Sequence, residues 1–116
     1  MITIEINLEY MYGMLFIRLS GVLDKKTFLE LNDCLDKMIY DKGLKNFVLN
    51  LSNLEYIDEV AIQGIINRYF DIVLNDGKLV ICGYNDQFKI NNKTKYIFDS
   101  IEHTSNELKA LKIINL

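Results

Sequence analysis

The sequence predicts one α/β domain: a mixed, mostly parallel sheet of about five strands in sequential order, with an antiparallel first strand and about four helices. Three observations predict it. The chain has 116 residues, the length of a single domain. Its composition is 50% apolar, 11% aromatic and 25% charged, which suits a packed core and excludes disorder. Its apolar residues first recur with a period of two and then alternate between helical spacing and short continuous runs.

Ile2, Ile4, Ile6 and Leu8 alternate with Thr3, Glu5, Asn7 and Glu9, which predicts a strand with one buried face. Tyr12-Gly13 turns the chain into a second alternating run, Leu15, Ile17 and Leu19 against Phe16, Arg18 and Ser20. So short a connection predicts an antiparallel hairpin. After Gly21-Val22-Leu23, Asp24 is placed to cap a helix on which Phe28, Leu31, Leu35, Met38 and Ile39 form the apolar stripe. Gly43 closes that helix. Phe47 to Leu51 is a short apolar run that suits a parallel strand covered on both faces, and a polar loop follows it.

A second helix is expected from about Glu59, with Ile62, Ile65, Ile66, Tyr69 and Val73 on one stripe and Asn75-Asp76-Gly77 at its end. Lys78 to Cys82 reads as the next buried strand. The polar stretch from Asn85 to Lys95 reads as a short helix and loop, and Tyr96-Ile97-Phe98 as the start of a final strand. Thr104-Ser105-Asn106-Glu107 fits a capping box before a terminal helix, with Leu108, Leu111 and Ile114 facing in. The order is ββαβαβαβα. Parallel strands need helical crossovers, and each later strand has a helix-length segment before it.

Charge and motifs narrow the function. A net charge of −3 supplies no basic field for phosphate backbones, so nucleic acid is not an expected partner. No apolar run approaches the ~18–20 residues of a membrane span, and Met1-Ile2-Thr3-Ile4-Glu5 shows no signal peptide; a cytoplasmic location is expected. Cys34 and Cys82 stand apart in apolar surroundings without a CxxC, as two reduced structural thiols. The single histidine, His103, lacks the clustered ligands of a zinc site. The glycines form neither a Walker loop nor a dinucleotide fingerprint. Adjacent carboxylates such as Asp58-Glu59 point about 100° apart on a helix and make no acid/base couple by spacing alone. An enzyme is not expected, nor a cofactor or metal.

One segment carries more information. From Asn50 to Ile62 a buried strand leads into a helix at two carboxylates, Asp58 as N-cap and Glu59 in the first turn. Acids there are stabilised by the helix dipole and the unpaired N–H groups, by roughly 0.3–1 kcal/mol each.

At these residues the chain resembles the STAS domain of bacterial anti-sigma factor antagonists, over nearly its whole length. Leu15-Phe16-Ile17-Arg18-Leu19-Ser20-Gly21-Val22-Leu23-Asp24 resembles the family's second strand and G-x-L-D turn. Val48-Leu49-Asn50-Leu51-Ser52-Asn53-Leu54-Glu55-Tyr56-Ile57-Asp58 resembles its V-L-[ND]-L-S-x-[LV]-x-[FY]-[IM]-D segment, and Lys78 to Gly83 the strand after the second helix. The resemblance implies a non-enzymatic module that binds an anti-sigma factor of the serine-kinase type and so controls sigma-factor-dependent transcription. It implies a partner-binding surface at Asp24, Ser52, Asp58, Glu59, Val60 and Ala61, and a phosphoacceptor serine after the aspartate in D-S-x-G. Here that motif reads Asp58-Glu59-Val60-Ala61, so a carboxylate stands where the family has its hydroxyl. A glutamate brings one charge and two acceptor oxygens, against about −1.5 to −2 charges and three oxygens for a phosphate. The alternative is a scaffold or sensor subunit of a STAS assembly, or a STAS domain that binds a nucleotide or lipid; a homodimer is compatible with either reading.

Overall fold

The computed structural model describes residues 3–84 and 92–115. Five strands form one sheet: β1 (Ile4–Met11), β2 (Met14–Leu23), β3 (Asn46–Ile57), β4 (Lys78–Cys82) and β5 (His103–Thr104), in that spatial order. The first pair is antiparallel and the other three pairs are parallel. The helices are α1 (Phe28–Asp36, prolonged by a π-helical turn at Lys37–Asp41), α2 (Glu59–Leu74), α3 (Asn92–Asp99) and α4 (Glu107–Ile114). The expected fold class, strand order and element order are those observed. Among the described residues, no helix is long and apolar enough to cross a membrane.

The hairpin has its two-residue turn at Tyr12 and Gly13, both at positive φ (57° and 76°), the geometry whose twist matches that of antiparallel strands. Alternation in β2 and β3 then sends side chains to two different layers. Leu15, Ile17, Leu19, Leu49 and Leu51 pack with Leu31 and Leu35 of α1, Ile62, Ile65 and Ile66 of α2, and Phe98 of α3. On the opposite face a smaller cluster joins Met14, Phe16, Val48, Val80 and Cys82 to Ala110 and Ile114 of α4.

The structure corrects several local expectations. The segment after Leu51 is strand rather than loop. β3 runs on to Ile57 beside Ser20–Leu23 of β2, and register shifts let Leu54 and Ile57 stay buried. Tyr96-Ile97-Phe98 is helical, because Thr94, Phe98 and Ile101 recur at helical spacing and are all buried; the last strand is only His103–Thr104. The expected short helix and loop over 85–95 falls partly on residues 85–91, outside the described residues. In the terminal helix the N-cap is Asn106, whose side chain accepts from the Lys109 N–H, and Glu107 turns to Arg18 instead of closing a box with Thr104. Leu108 is consequently 61% exposed, while Ala110 and Ile114 face in and Leu111 is half-buried.

Two further corrections concern stripes. On α2, Ile72 is buried and Val73 exposed, the reverse of what the stripe ending at Val73 implies. On β1 burial fades along the strand, from Ile4 through half-buried Ile6 to exposed Leu8; Ile2 lies outside the described residues. Neither cysteine is disulfide-bonded. Cys82 is buried as expected, but Cys34 is only partly so.

One glycine in β2 is fixed by backbone approach. Gly21 has φ of 100°, and a Cβ there would stand 2.6 Å from the Thr3 carbonyl oxygen, which accepts from the Val22 N–H at 3.1 Å. Gly21→Ala is therefore expected to lower stability by about 1–3 kcal/mol through strain and the displaced Thr3 carbonyl. Urea denaturation of the two proteins checks it.

Candidate functional site

Asp58 is the last residue before α2, in extended conformation with φ −100° and ψ 171°, which aims its carboxylate back over the first turn. Oδ1 accepts from the Ala61 N–H at 2.8 Å, the N-cap bond expected from the sequence. Oδ2 does something the sequence does not announce: it accepts from the Lys25 N–H at 2.9 Å, in the loop between β2 and α1. The Asp58 N–H in turn donates to the Leu23 carbonyl at 3.1 Å. One residue thus holds the α2 start and the β2–α1 loop together.

That loop is ordered from within by Asp24. Its Oδ1 accepts from the Lys26 and Thr27 N–H groups, each at 2.9 Å. The Thr27 hydroxyl donates to the Val22 carbonyl at 2.8 Å and accepts from the Asp24 N–H at 2.8 Å. The amide of Thr27, more than that of Lys26, keeps the Asp24 carboxyl below its ordinary pKa. Asp24 therefore organises the turn before α1, which begins at Phe28, and does not cap the helix itself; Thr27 sits at the N-cap without a side-chain cap bond.

Of the six residues singled out in the sequence, the fold brings Asp24, Asp58, Glu59 and Val60 to one end of the sheet. Glu59 is the first residue of α2 and is partly exposed; Val60 is 51% exposed, and Tyr56, which the sequence reading passed over, is 53% exposed just before them. Ala61 is fully buried, with its N–H used by Asp58, so its side chain offers no surface. Ser52 stands apart. It lies on β3 six residues before Asp58, on the order of 15–20 Å along a strand. A Cβ on Gly83 would meet its Cβ at 2.6 Å, so the end of β4 packs directly on Ser52.

Ser52 belongs instead to a polar network on the α4 face. Its hydroxyl and N–H both donate to Asn50 Oδ1, at 2.7 and 2.9 Å. Asn50 Nδ2 donates to Glu107 Oε2 at 2.8 Å, and Arg18 clamps both Glu107 oxygens at 2.8 and 2.9 Å while pairing with Glu9 at 2.7 Å. Hydrogen bonds from Arg18, and then from Asn50, pull the Glu107 carboxyl below its ordinary range against the cost of burial. Hydrogen bonds to Glu107, and then to Glu9, in turn hold the Arg18 guanidinium firmly protonated. Burial, helped by the Glu107 charge, pushes the Cys82 thiol up to about 12, which leaves it unreactive as a nucleophile. The signal for this network was a polar Asn50 inside the apolar run Phe47 to Leu51. Among the described residues, no three of His, Cys, Asp and Glu are grouped to hold a metal.

Fold and junction together define an α/β domain with five strands in sequential order, and comparison with known proteins gives its family. The STAS-domain model matches residues 5–110, and the chain belongs to the STAS-domain family. It is 29% identical over 108 residues to the anti-sigma F factor antagonist of Paenibacillus polymyxa, covering 93% of this chain and 92% of that one. A putative anti-sigma factor antagonist from Thermotoga maritima has a similar solved structure, with a TM-score of 0.82 at 13% identity over 96% of this chain and 95% of that one. So does a Moorella thermoacetica RsbS variant in which a serine is replaced by glutamate, with a TM-score of 0.75 at 16% identity over 95% and 97%. The chain is thus a STAS domain similar in sequence to an anti-sigma factor antagonist.

Two outcomes follow from this geometry. Asp58→Ala removes the acceptor for both Lys25 and Ala61 and is expected to cost about 1–2 kcal/mol, read by urea denaturation. Glu107→Gln tests the α4 anchor through pH. Because the folded-state pKa of Glu107 lies below its ordinary 4.5, its contribution is present above that value and is lost as pH falls through the folded pKa. The stability gap between the native protein and Glu107→Gln should be constant from neutral pH down to about 5 and should close in more acid solution.

Proposed function

We propose that this chain is an anti-sigma factor antagonist that docks its partner, an anti-sigma factor of the serine-kinase type, on the surface formed by Tyr56, Glu59, Val60 and the Asp24–Lys25 loop. The observation that carries the reading is the double role of Asp58. Its carboxylate fixes the β2–α1 loop and the first turn of α2 as one rigid surface, so the side chains that stand out from it are presented without further ordering. A mixed surface of one aromatic, one aliphatic and one acidic side chain suits protein recognition. The family membership and the likeness to the Paenibacillus antagonist support the partner class.

Within this reading Glu59 is a built-in negative charge where relatives of this type carry their serine. It has no hydroxyl to receive a phosphate, and neither has Val60. The carboxylate therefore weakens docking permanently, as a phosphate would do reversibly, though with less charge. The solved RsbS variant supports the compatibility of a serine-to-glutamate change with the fold. Ser52 is held in the α4-side network, which favours a structural role for it over the switching role.

Glu59→Ser should strengthen binding to the kinase-type partner, and the gain should shrink as salt rises, since exposed charge is screened over about 8–10 Å at physiological ionic strength. Isothermal calorimetry of both proteins at two salt concentrations checks it. The native protein, incubated with that kinase and ATP, should show no phosphate at residues 58–61 by mass spectrometry. Weaker binding by Glu59→Ser would overturn the mimic and make Glu59 an attractive contact.

A further inference from the structure

β1 is an edge strand of the sheet, and none of the described residues adds a strand outside it. It pairs with β2 alone, in an unbroken antiparallel register from Ile4 opposite Gly21 to Met11 opposite Met14. Proteins commonly protect such edges with lysine, proline, a bulge or a very short strand. β1 has 8 residues, IEINLEYM, without lysine, arginine or proline and without a register shift against β2.

Antiparallel alternation says which of its main-chain groups face outwards. The Val22 N–H donates to the Thr3 carbonyl, so Thr3 and every second residue after it turn their main-chain groups towards β2. Ile4, Ile6, Leu8 and Tyr10 turn theirs to the open edge. The same residues carry the apolar side chains of the strand, and Leu8 and Tyr10 are 39% and 59% exposed. Main-chain groups that need partners and side chains that need cover thus coincide.

We propose that β1 pairs antiparallel with β1 of a second copy of this chain about a two-fold axis at Leu8, joining the two sheets into one. Leu8 then meets Leu8 of the second copy, and Ile6 meets the second copy's Tyr10. Pairs of outward-facing residues exchange main-chain bonds, about six in all. Charge is compatible with this register. Glu9 falls opposite Asn7 and Glu5 opposite Met11, so no two carboxylates meet, and Glu9 keeps its 2.7 Å ion pair with Arg18. An axis at Asn7 would set Glu5 against Glu9, and an axis at Glu9 would set that residue against itself, both destabilising. Axes at Ile6 and at Tyr10 also keep carboxylates apart, but the first sets Tyr10 opposite residue 2, outside the described residues, and the second sets Leu8 opposite Tyr12 in the turn, so the axis at Leu8 pairs the most of β1 with itself.

Sedimentation equilibrium of the full chain should show a concentration-dependent dimer, and Leu8→Lys combined with Tyr10→Lys should abolish it. Both sites are exposed, so the variant should keep its circular dichroism and melting behaviour. Register is read by disulfide trapping in a Cys34→Ser background. Facing residues of a hydrogen-bonded antiparallel pair have Cα atoms roughly 5.5 Å apart, inside the ~4.4–6.8 Å span of a disulfide. Leu8→Cys should therefore give a covalent dimer on mild oxidation, and Tyr10→Cys should not. A native chain that stays monomeric at every concentration reached would overturn the proposal. So would a dimer that survives the double lysine variant, or trapping by Tyr10→Cys as fast as by Leu8→Cys.

Discussion

The carboxylate of Asp58 is the constraint on which the junction of the β2–α1 loop with the start of α2 depends. β2 and β3 are neighbours in the sheet, and each ends in a helix, so two chain reversals lie side by side with unpaired N–H groups at both. Free N–H groups at a helix start or in a tight loop must find an acceptor or water. Asp58 serves one from each reversal, and its own N–H closes a third bond to Leu23 at 3.1 Å. Asp24 and Thr27 satisfy the remainder of the loop. The result is a junction whose backbone is fixed by side-chain and main-chain hydrogen bonds, with Tyr56 and Val60 exposed beside it.

β2 links that junction to the rest. Its one face supplies Leu15, Ile17 and Leu19 to the layer beneath α1 and α2, and its other face places Phe16 under α4 and Arg18 at the centre of the polar network. The two layers are held differently. The α1–α2 side rests on a broad aliphatic core, whereas the α4 side has few apolar residues and relies on Arg18 and Asn50 gripping Glu107. A bidentate, partly buried ion pair is among the stronger polar contacts and is directional, so it fixes where α4 sits as well as how firmly. Beyond α4 the same face opens to solvent at β1, where Glu5, Asn7 and Glu9 are exposed.

Much of this was legible in the sequence, and the failures have a common cause. The period of two in Leu15 to Ser20 and that of three to four in Ile62 to Ile66 each arise within a single element, and both were read correctly. The cap at Asp58 was legible because a capping bond is local. What was not legible depended on distant partners. Glu107 looked like the second half of a capping box until Arg18, eighty-nine positions earlier, claimed it. Ser52 looked like a loop residue because a parallel strand with register shifts shows no clean alternation. Tyr96-Ile97-Phe98 looked like a strand because three apolar residues cannot reveal a helical period; Thr94 and Ile101 on either side supply it.

The departure from D-S-x-G can now be divided between surface and core. Ala61, at the family's glycine position, is fully buried among Leu51, Ile57 and Ile65, and its N–H is already bonded to Asp58. Its methyl group fills space inside the domain and cannot hold a partner away. The external difference is carried by Glu59, with Val60 beside it. A serine there would be neutral until modified, so a phosphorylatable surface has two states separated by a charge of about −2. Glutamate gives one state. The fold can hold either residue, since an acid in the first turn of a helix is favoured by the dipole, by roughly 0.3–1 kcal/mol, and serine is tolerated there. Under the proposed function, what the glutamate changes is the charge of the surface and not the packing of the domain, because the buried neighbour in the motif is Ala61.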